Sequence, residues 1–165
     1  MSVLISAEDV GFAYSSAASE PAWAVEHVSM SVRRGEYIAV LGRNGSGKST
    51  FSRLLNGLEL PAYGRVCTAG YDTANDVHLQ AVRQACGMVF QNPDNQIVGT
   101  TVEEDVAFGP ENLGVPLPEL ADRVRRALVT VGLADRADVP PAILSGGQKQ
   151  KLAIAGVLAM KPIGK

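Results

Sequence analysis

The sequence is poor in several residue types that mark common functions. Aromatic residues make up only 5% of the 165 positions, too few for a surface on which bases stack. There is no excess of basic charge: 15 lysines and arginines face 17 aspartates and glutamates, for a formal net charge of -2. Nucleic-acid-binding chains usually carry a strong positive balance, so no nucleic-acid partner is expected. Cysteine is scarce. Cys67 and Cys86 form no CxxC pair and have no histidine nearby at metal spacing. They are expected to be reduced or buried thiols of a cytosolic protein. The longest apolar stretch, Leu152 to Met160, is too short to cross a bilayer. The N-terminus, MSVLISAEDV, lacks the basic-then-apolar pattern of a signal peptide. The expectation is a soluble chain able to dock on a membrane protein.

What is present is a large apolar fraction, 46% of the residues, enough for one domain with a real core and short for two. The first part reads as strands. Val28, Met30 and Val32 alternate with polar residues, as one-sided strands do. After a turn at Arg33-Arg34-Gly35-Glu36, the run Tyr37-Ile38-Ala39-Val40-Leu41 predicts a central strand buried on both faces. A helix follows from Lys48 to Asn56 and stops at Gly57. Residues 61–72 read as a turn with short strands, 76–84 as a helix and Cys86 to Phe90 as another short strand.

The pattern then becomes helical. Thr101 and Glu104 form a capping box that opens a helix through Phe108, with Gly109 and Pro110 expected to end it. Leu120, Val124, Leu128 and Val131 recur at helical spacing, so residues 118–131 predict an amphipathic helix closed by Gly132. This reading divides one domain into a core at 1–91, an inserted helical subdomain at 92–143 and a further helix at 144–162.

Two stretches carry chemistry. Gly42-Arg43-Asn44-Gly45-Ser46-Gly47-Lys48-Ser49 matches G-x-x-x-x-G-K-[ST] in full, between an expected strand and an expected helix. Gly42, Gly45 and Gly47 leave room for backbone N–H groups to turn toward a phosphate. The helix that follows aims its positive end at the same anion. Lys48 adds a full charge, and the Ser49 hydroxyl can ligate Mg²⁺. The loop implies nucleotide binding and, alone, no narrower class.

The second stretch is Leu144-Ser145-Gly146-Gly147-Gln148. Ser145 and Gln148 form another capping box. Two glycines in a first turn are poor helix formers, so their presence needs a reason. Close approach of an anion to the helix N-terminus supplies one.

Together these residues resemble the ATP-binding cassettes of the ABC family, with Leu144 to Gln148 as the signature. The resemblance implies an α/β P-loop NTPase fold with N-terminal antiparallel strands and an inserted helical subdomain. It implies ATP bound with Mg²⁺ by Gly42, Asn44, Gly45, Ser46, Gly47, Lys48, Ser49 and Thr50. It also implies a head-to-tail dimer, in which Ser145, Gly146, Gly147 and Gln148 reach the nucleotide of a second ATPase subunit. Gln91 fits the glutamine that senses Mg²⁺ and the γ-phosphate, the nearest thing to a catalytic residue here. Tyr14, in Gly11-Phe12-Ala13-Tyr14, fits the aromatic that stacks on adenine.

The segment Gln91 to Gly109 resembles ATPase subunits of energy-coupling factor (ECF) transporters, importers of vitamins and transition-metal ions. That likeness implies a membrane-embedded partner and a place on the cytoplasmic face of the membrane. The acidic trio Glu103, Glu104 and Asp105 suits a docking surface, or simply favours a helix N-terminus. One departure is expected to matter. The family follows the signature helix with an apolar strand ending in Asp-Glu, and no such pair follows Gln148 here. The chain therefore reads as a truncated cassette with an incomplete core sheet, expected to hydrolyse ATP poorly. A non-catalytic nucleotide-dependent interaction module, or an ABC ATPase outside the ECF group, stays open.

Overall fold

The computed structural model describes residues 2–14 and 22–162. These divide into two compact units, one up to Cys86 and one from Gly87 to Pro162.

The first unit is built on a four-stranded antiparallel sheet. Strands β1 (Val3–Tyr14), β2 (Ala22–Arg33), β3 (Tyr63–Thr68) and β4 (Tyr71–Asp72) lie in the order β2-β1-β3-β4. Ala7 and Val10 on β1 are both buried although they are three residues apart, a spacing that sends side chains to opposite faces of a regular strand. A bulge resolves the conflict. The register shifts between Ala7 and Val10, with Asp9 at φ 48 between them. On β2, His27 at φ 50 lets buried Val25 and half-buried Val28 share a face in the same way. The two bulges meet where His27 Nδ1 lies 2.8 Å from Asp9 Oδ1. Helix α1 (Lys48–Leu55) covers the sheet, and Phe51 and Leu54 join Ala7, Val10, Val25 and Val66 in one core. A short 3-10 turn at Asp76–His78 leads into α2 (Leu79–Ala85).

The expected central strand at residues 37–41 is not formed. This segment is irregular, and Tyr37 and Leu41 are 95% and 89% exposed. Apolarity predisposes a segment to a buried strand, but a strand exists only through ladder bonds to neighbours. None of the described strands pairs with it. The expected strand at 86–90 is irregular too, and the Phe90 N–H donates to the Gln96 side-chain oxygen at 3.0 Å instead of to a ladder partner.

The second unit is three helices, α3 (Val102–Asn112), α4 (Leu117–Val131) and α5 (Gly146–Ala159). They bury Val102 and Val106 against Leu120, Val124 and Leu128, with Leu152, Ala155 and Ala159 completing the core. Both expected capping boxes are present, at Thr101–Glu104 and Ser145–Gln148, and Gly132 closes α4 at φ 71. Helix α3 does not end at Gly109-Pro110. It continues to Asn112 with Pro110 inside it and buried. Proline this close to a helix end removes one hydrogen bond, and here the ring fills the core in exchange. Gly109 is a point of close approach, since a Cβ there would lie 2.9 Å from the Met160 sulfur.

Candidate functional site

The phosphate-loop sequence is an exposed turn that runs into α1. The Ser46 N–H donates to the Arg43 carbonyl at 3.2 Å, and the Phe51 N–H to the Gly47 carbonyl at 2.8 Å, which starts the helix. Gly47 is the residue that β2 demands. It stands at φ 82, and a Cβ on it would lie 2.0 Å from the Ala24 carbonyl oxygen. Helix α1 has no acidic residue in its first turn, so nothing on the helix offsets the positive end of its dipole. The Lys48 ammonium folds over the loop and donates to the Gly42 carbonyl at 2.9 Å and the Arg43 carbonyl at 2.7 Å. Among the described residues no carboxylate pairs with it. An exposed loop, a helix N-terminus with no acid in its first turn and a lysine without a carboxylate partner among the described residues thus lie together.

Tyr14 is brought to this helix. Its hydroxyl lies 3.0 Å from Thr50 Oγ1, and its ring meets Phe12 edge to face at 4.9 Å. Thr50 is buried in the first turn of α1, while Tyr14 stays half exposed. Ser49 is exposed beside Thr50. Tyr14 and the loop therefore belong to the sheet unit; Gln91 and the Ser145–Gln148 segment belong to the helical unit.

Gln91 is exposed at the start of a tight turn. The Asn92 side chain accepts the Asp94 N–H at 3.1 Å and opens a 3-10 turn at Pro93–Asn95. Asp94 then pairs with Lys149 of α5 at 2.5 Å. That fastening was not readable from the sequence, because the two residues are 55 positions apart and no local pattern links them.

Ser145 caps α5 with mutual bonds to Gln148: its N–H donates to Gln148 Oε1 at 2.9 Å, and the Gln148 N–H to Ser145 Oγ at 3.4 Å. Gly146 and Gly147 follow. Neither has a positive φ, and a Cβ on either would meet nothing within 4 Å. The chain's own packing does not require glycine at these positions.

The acidic trio at the start of α3 is split. Asp105 is 9% exposed, and its Oδ1 accepts the N–H groups of Val98 at 2.7 Å and Gly99 at 2.9 Å. Glu104 accepts from the Thr100 hydroxyl and from the N–H groups of Thr100 and Thr101. These bonds, the Thr100 hydroxyl first, hold the Glu104 carboxyl below its ordinary range. Two of the three carboxylates thus tie residues 98–101 to α3, which leaves Glu103, exposed like Glu104, as the one that takes no part in that bonding. No group of three or more His, Cys, Asp or Glu side chains placed to hold a metal occurs among the described residues. None of the helices among those residues is long and apolar enough to cross a membrane.

Residues 25–163 match the family model described as ABC transporter. The chain is 53% identical over 162 residues to the energy-coupling factor transporter ATP-binding protein EcfA1 of Symbiobacterium thermophilum, covering 96% of this chain and 56% of that one. It is 49% identical over 162 residues to EcfA1 of Caldanaerobacter subterraneus subsp. tengcongensis, with 98% and 58% coverage. The chain thus spans little more than half the length of these relatives. Among solved structures, CbiO1 of Clostridium perfringens, described as part of the ABC transporter complex CbiONQ, superposes with a TM-score of 0.84. That match is 37% identical and covers 97% of this chain and 62% of the other. The dimeric post-hydrolysis state of the ATP-binding cassette MJ0796, bound to ADP and Pi, also gives 0.84 at 29% identity, covering 96% of this chain and 71% of that one.

Proposed function

The chain belongs to the ABC transporter family, and from that membership we propose that it is the ATP-binding part of an ECF-type importer. In this reading ATP binding and hydrolysis drive uptake of a vitamin or a transition-metal ion through a membrane-embedded partner, from the cytoplasmic face of the membrane. The observation that carries the proposal is Lys48. Its ammonium lies over the loop, bonded among the described residues to the Gly42 and Arg43 carbonyls alone, at the head of a helix with no acid in its first turn. Phosphate oxygens offer that ammonium and the neighbouring N–H groups better acceptors than the carbonyls they would replace.

The roles follow from position. Gly42, Asn44, Gly45, Ser46 and Gly47 present loop N–H groups to the phosphates, and Lys48 neutralises their charge. Thr50 and Ser49 add first-turn hydroxyls. Tyr14 offers a half-exposed ring to the base. Ser49 is the loop side chain proposed to hold Mg²⁺, an ion that takes most of its ligands from water and phosphate and so does not need a carboxylate cluster. When bound, the ion would neutralise charge on the phosphate oxygens. By the family resemblance, Gln91 would sense Mg²⁺ and the γ-phosphate. The glycines of α5 support a second subunit: with no demand from their own fold, Gly146 and Gly147 leave a bare helix end for the phosphates held by a partner copy or paralogue.

The test is Mg²⁺-ATP binding to the purified chain by calorimetry, with Lys48→Ala beside it and phosphate release followed in the same samples. Micromolar to millimolar binding that is lost in Lys48→Ala supports the reading. Binding that Lys48→Ala leaves unchanged overturns it. Brisk release that depends on Lys48 would overturn the expectation that this chain hydrolyses ATP poorly.

A further inference from the structure

We infer that Tyr14 is a positioning residue for the phosphates as well as a face for the base. Its hydroxyl sets the orientation of the Thr50 hydroxyl in the first turn of α1. This inference rests on the nucleotide reading above and deepens it.

The geometry is specific. Tyr14 is the last residue of β1, and Thr50 is the third residue of α1. Their hydroxyl oxygens are 3.0 Å apart across 36 residues of sequence. Thr50 is 7% exposed, so its hydroxyl has few competing water partners. The Tyr14 ring is itself held, edge to face against Phe12 at 4.9 Å and 86°. The bond therefore joins a fixed ring to a buried hydroxyl, and little freedom is left to lose when an anion arrives.

A hydroxyl has one proton to give and two lone pairs to receive with. When the Tyr14 phenol donates to Thr50 Oγ1, the Thr50 proton is free for a phosphate oxygen at the head of α1, where the unbonded first-turn N–H groups also lie. The phenol is the better donor of the two, being the more acidic, which favours this direction. The Tyr14 proton thus points inward while its ring face stays available, and one side chain serves base and phosphate at once. The consequence is that Tyr14 acts on phosphate affinity even when no base is present.

Inorganic tripolyphosphate with Mg²⁺ isolates that effect, because it has nothing to stack. Its affinity and that of Mg²⁺-ATP are measured on the 165-residue chain and on Tyr14→Phe, Thr50→Val, Thr50→Ser and the Tyr14→Phe/Thr50→Val double variant. Thermal midpoints of the unliganded proteins are recorded alongside. Tyr14→Phe keeps the ring and loses the hydroxyl. It is expected to weaken tripolyphosphate and ATP alike by about fivefold, the scale of one hydrogen bond. Thr50→Val is expected to weaken both by at least as much. The double variant is expected to match Thr50→Val with no further loss, and Thr50→Ser to bind as the parent does. Tripolyphosphate binding unchanged in Tyr14→Phe overturns the inference and leaves Tyr14 as a stacking face only. Additive losses in the double variant also overturn it, since the two hydroxyls would then act separately. Lys48→Ala, run in parallel, keeps the two readings apart. If the parent binds neither ligand, or binds both regardless of Lys48, it is the nucleotide reading that has failed.

Discussion

Lys149 Nζ stands 2.5 Å from Asp94 Oδ1, so the residue after Gln148 is fastened to the turn that follows Gln91. The lysine is mostly covered, with 20% of its side chain exposed, and the aspartate is open at 59%. Two segments with proposed roles toward nucleotide therefore share one ion pair within the helical unit.

Breaking that pair should cost little stability and much local order. Asp94→Ala and Lys149→Ala are each expected to lower unfolding free energy by less than about 1 kcal/mol, as half-exposed pairs do. Amide exchange at residues 94–96 should rise in both. The swapped Asp94→Lys/Lys149→Asp variant should restore protection, and added salt should erase the difference. Unchanged exchange in the single variants would mean the turn is held by Asn92 alone.

Asp105 should behave as a structural acid. It accepts two N–H groups while almost buried, so Asp105→Ala strands both donors and is expected to cost about 2 kcal/mol in urea unfolding. Asp105→Asn keeps an acceptor oxygen and should cost less. Equal losses in the two variants would show that charge matters here more than the bonds.

Two loop glycines share a backbone angle and should differ in tolerance. Gly45 and Gly47 both stand at φ 82, but a Cβ at Gly45 meets nothing, while one at Gly47 strikes the Ala24 carbonyl. Gly45→Ala is expected to cost about 1–2 kcal/mol, the strain of a left-handed residue. Gly47→Ala adds a backbone collision and should cost about 3 kcal/mol or more. Thermal unfolding of the two variants decides it, and equal midpoints would refute the contact with β2.

Glu119 should shape the acid limb of the stability curve. The Lys161 ammonium first, and then the Arg123 guanidinium, pull its carboxyl from 4.5 down to about 2. A carboxyl more acidic when folded than when unfolded stabilises above its unfolded value. That contribution is complete above pH 4.5 and fades as pH falls toward about 2. Glu119→Gln should therefore flatten the curve in this window, and high salt should flatten the parent's, since the carboxyl is open to solvent. Parallel curves for parent and variant between those limits would remove Glu119 from the acid response.

Features set by a few neighbouring residues were legible in the sequence. The capping boxes at Thr101–Glu104 and Ser145–Gln148 and the stop at Gly132 depend on residues within one turn, and each formed as expected. The phosphate-loop pattern was equally local. Features set by distant partners were not. Residues 37–41 read as a buried strand because they are apolar, yet burial depends on neighbours that composition does not supply. The paired bulges at Asp9 and His27 could have been suspected from inward residues spaced by three, but only once the buried face was known. Pro110 misled because core packing outweighed its missing donor. Of the candidate site, the sequence offers candidate residues by local pattern, while the couplings of Tyr14 to Thr50 and of Asp94 to Lys149 join residues far apart in the chain and are visible only in the fold.

A Cβ at Gly146 or Gly147 would meet nothing within 4 Å, and both adopt angles open to any residue. Folding therefore exerts no selection on them, and alanine at either would extend the intrinsic helical preference of α5. A screen for thermostable variants would reward such changes early. Under the nucleotide reading the same clones would lose the bare helix end a second subunit needs. Heat tolerance and assembly would then pull in opposite directions at these two positions, and a library ranked on melting temperature alone would enrich chains that fold better and cooperate worse.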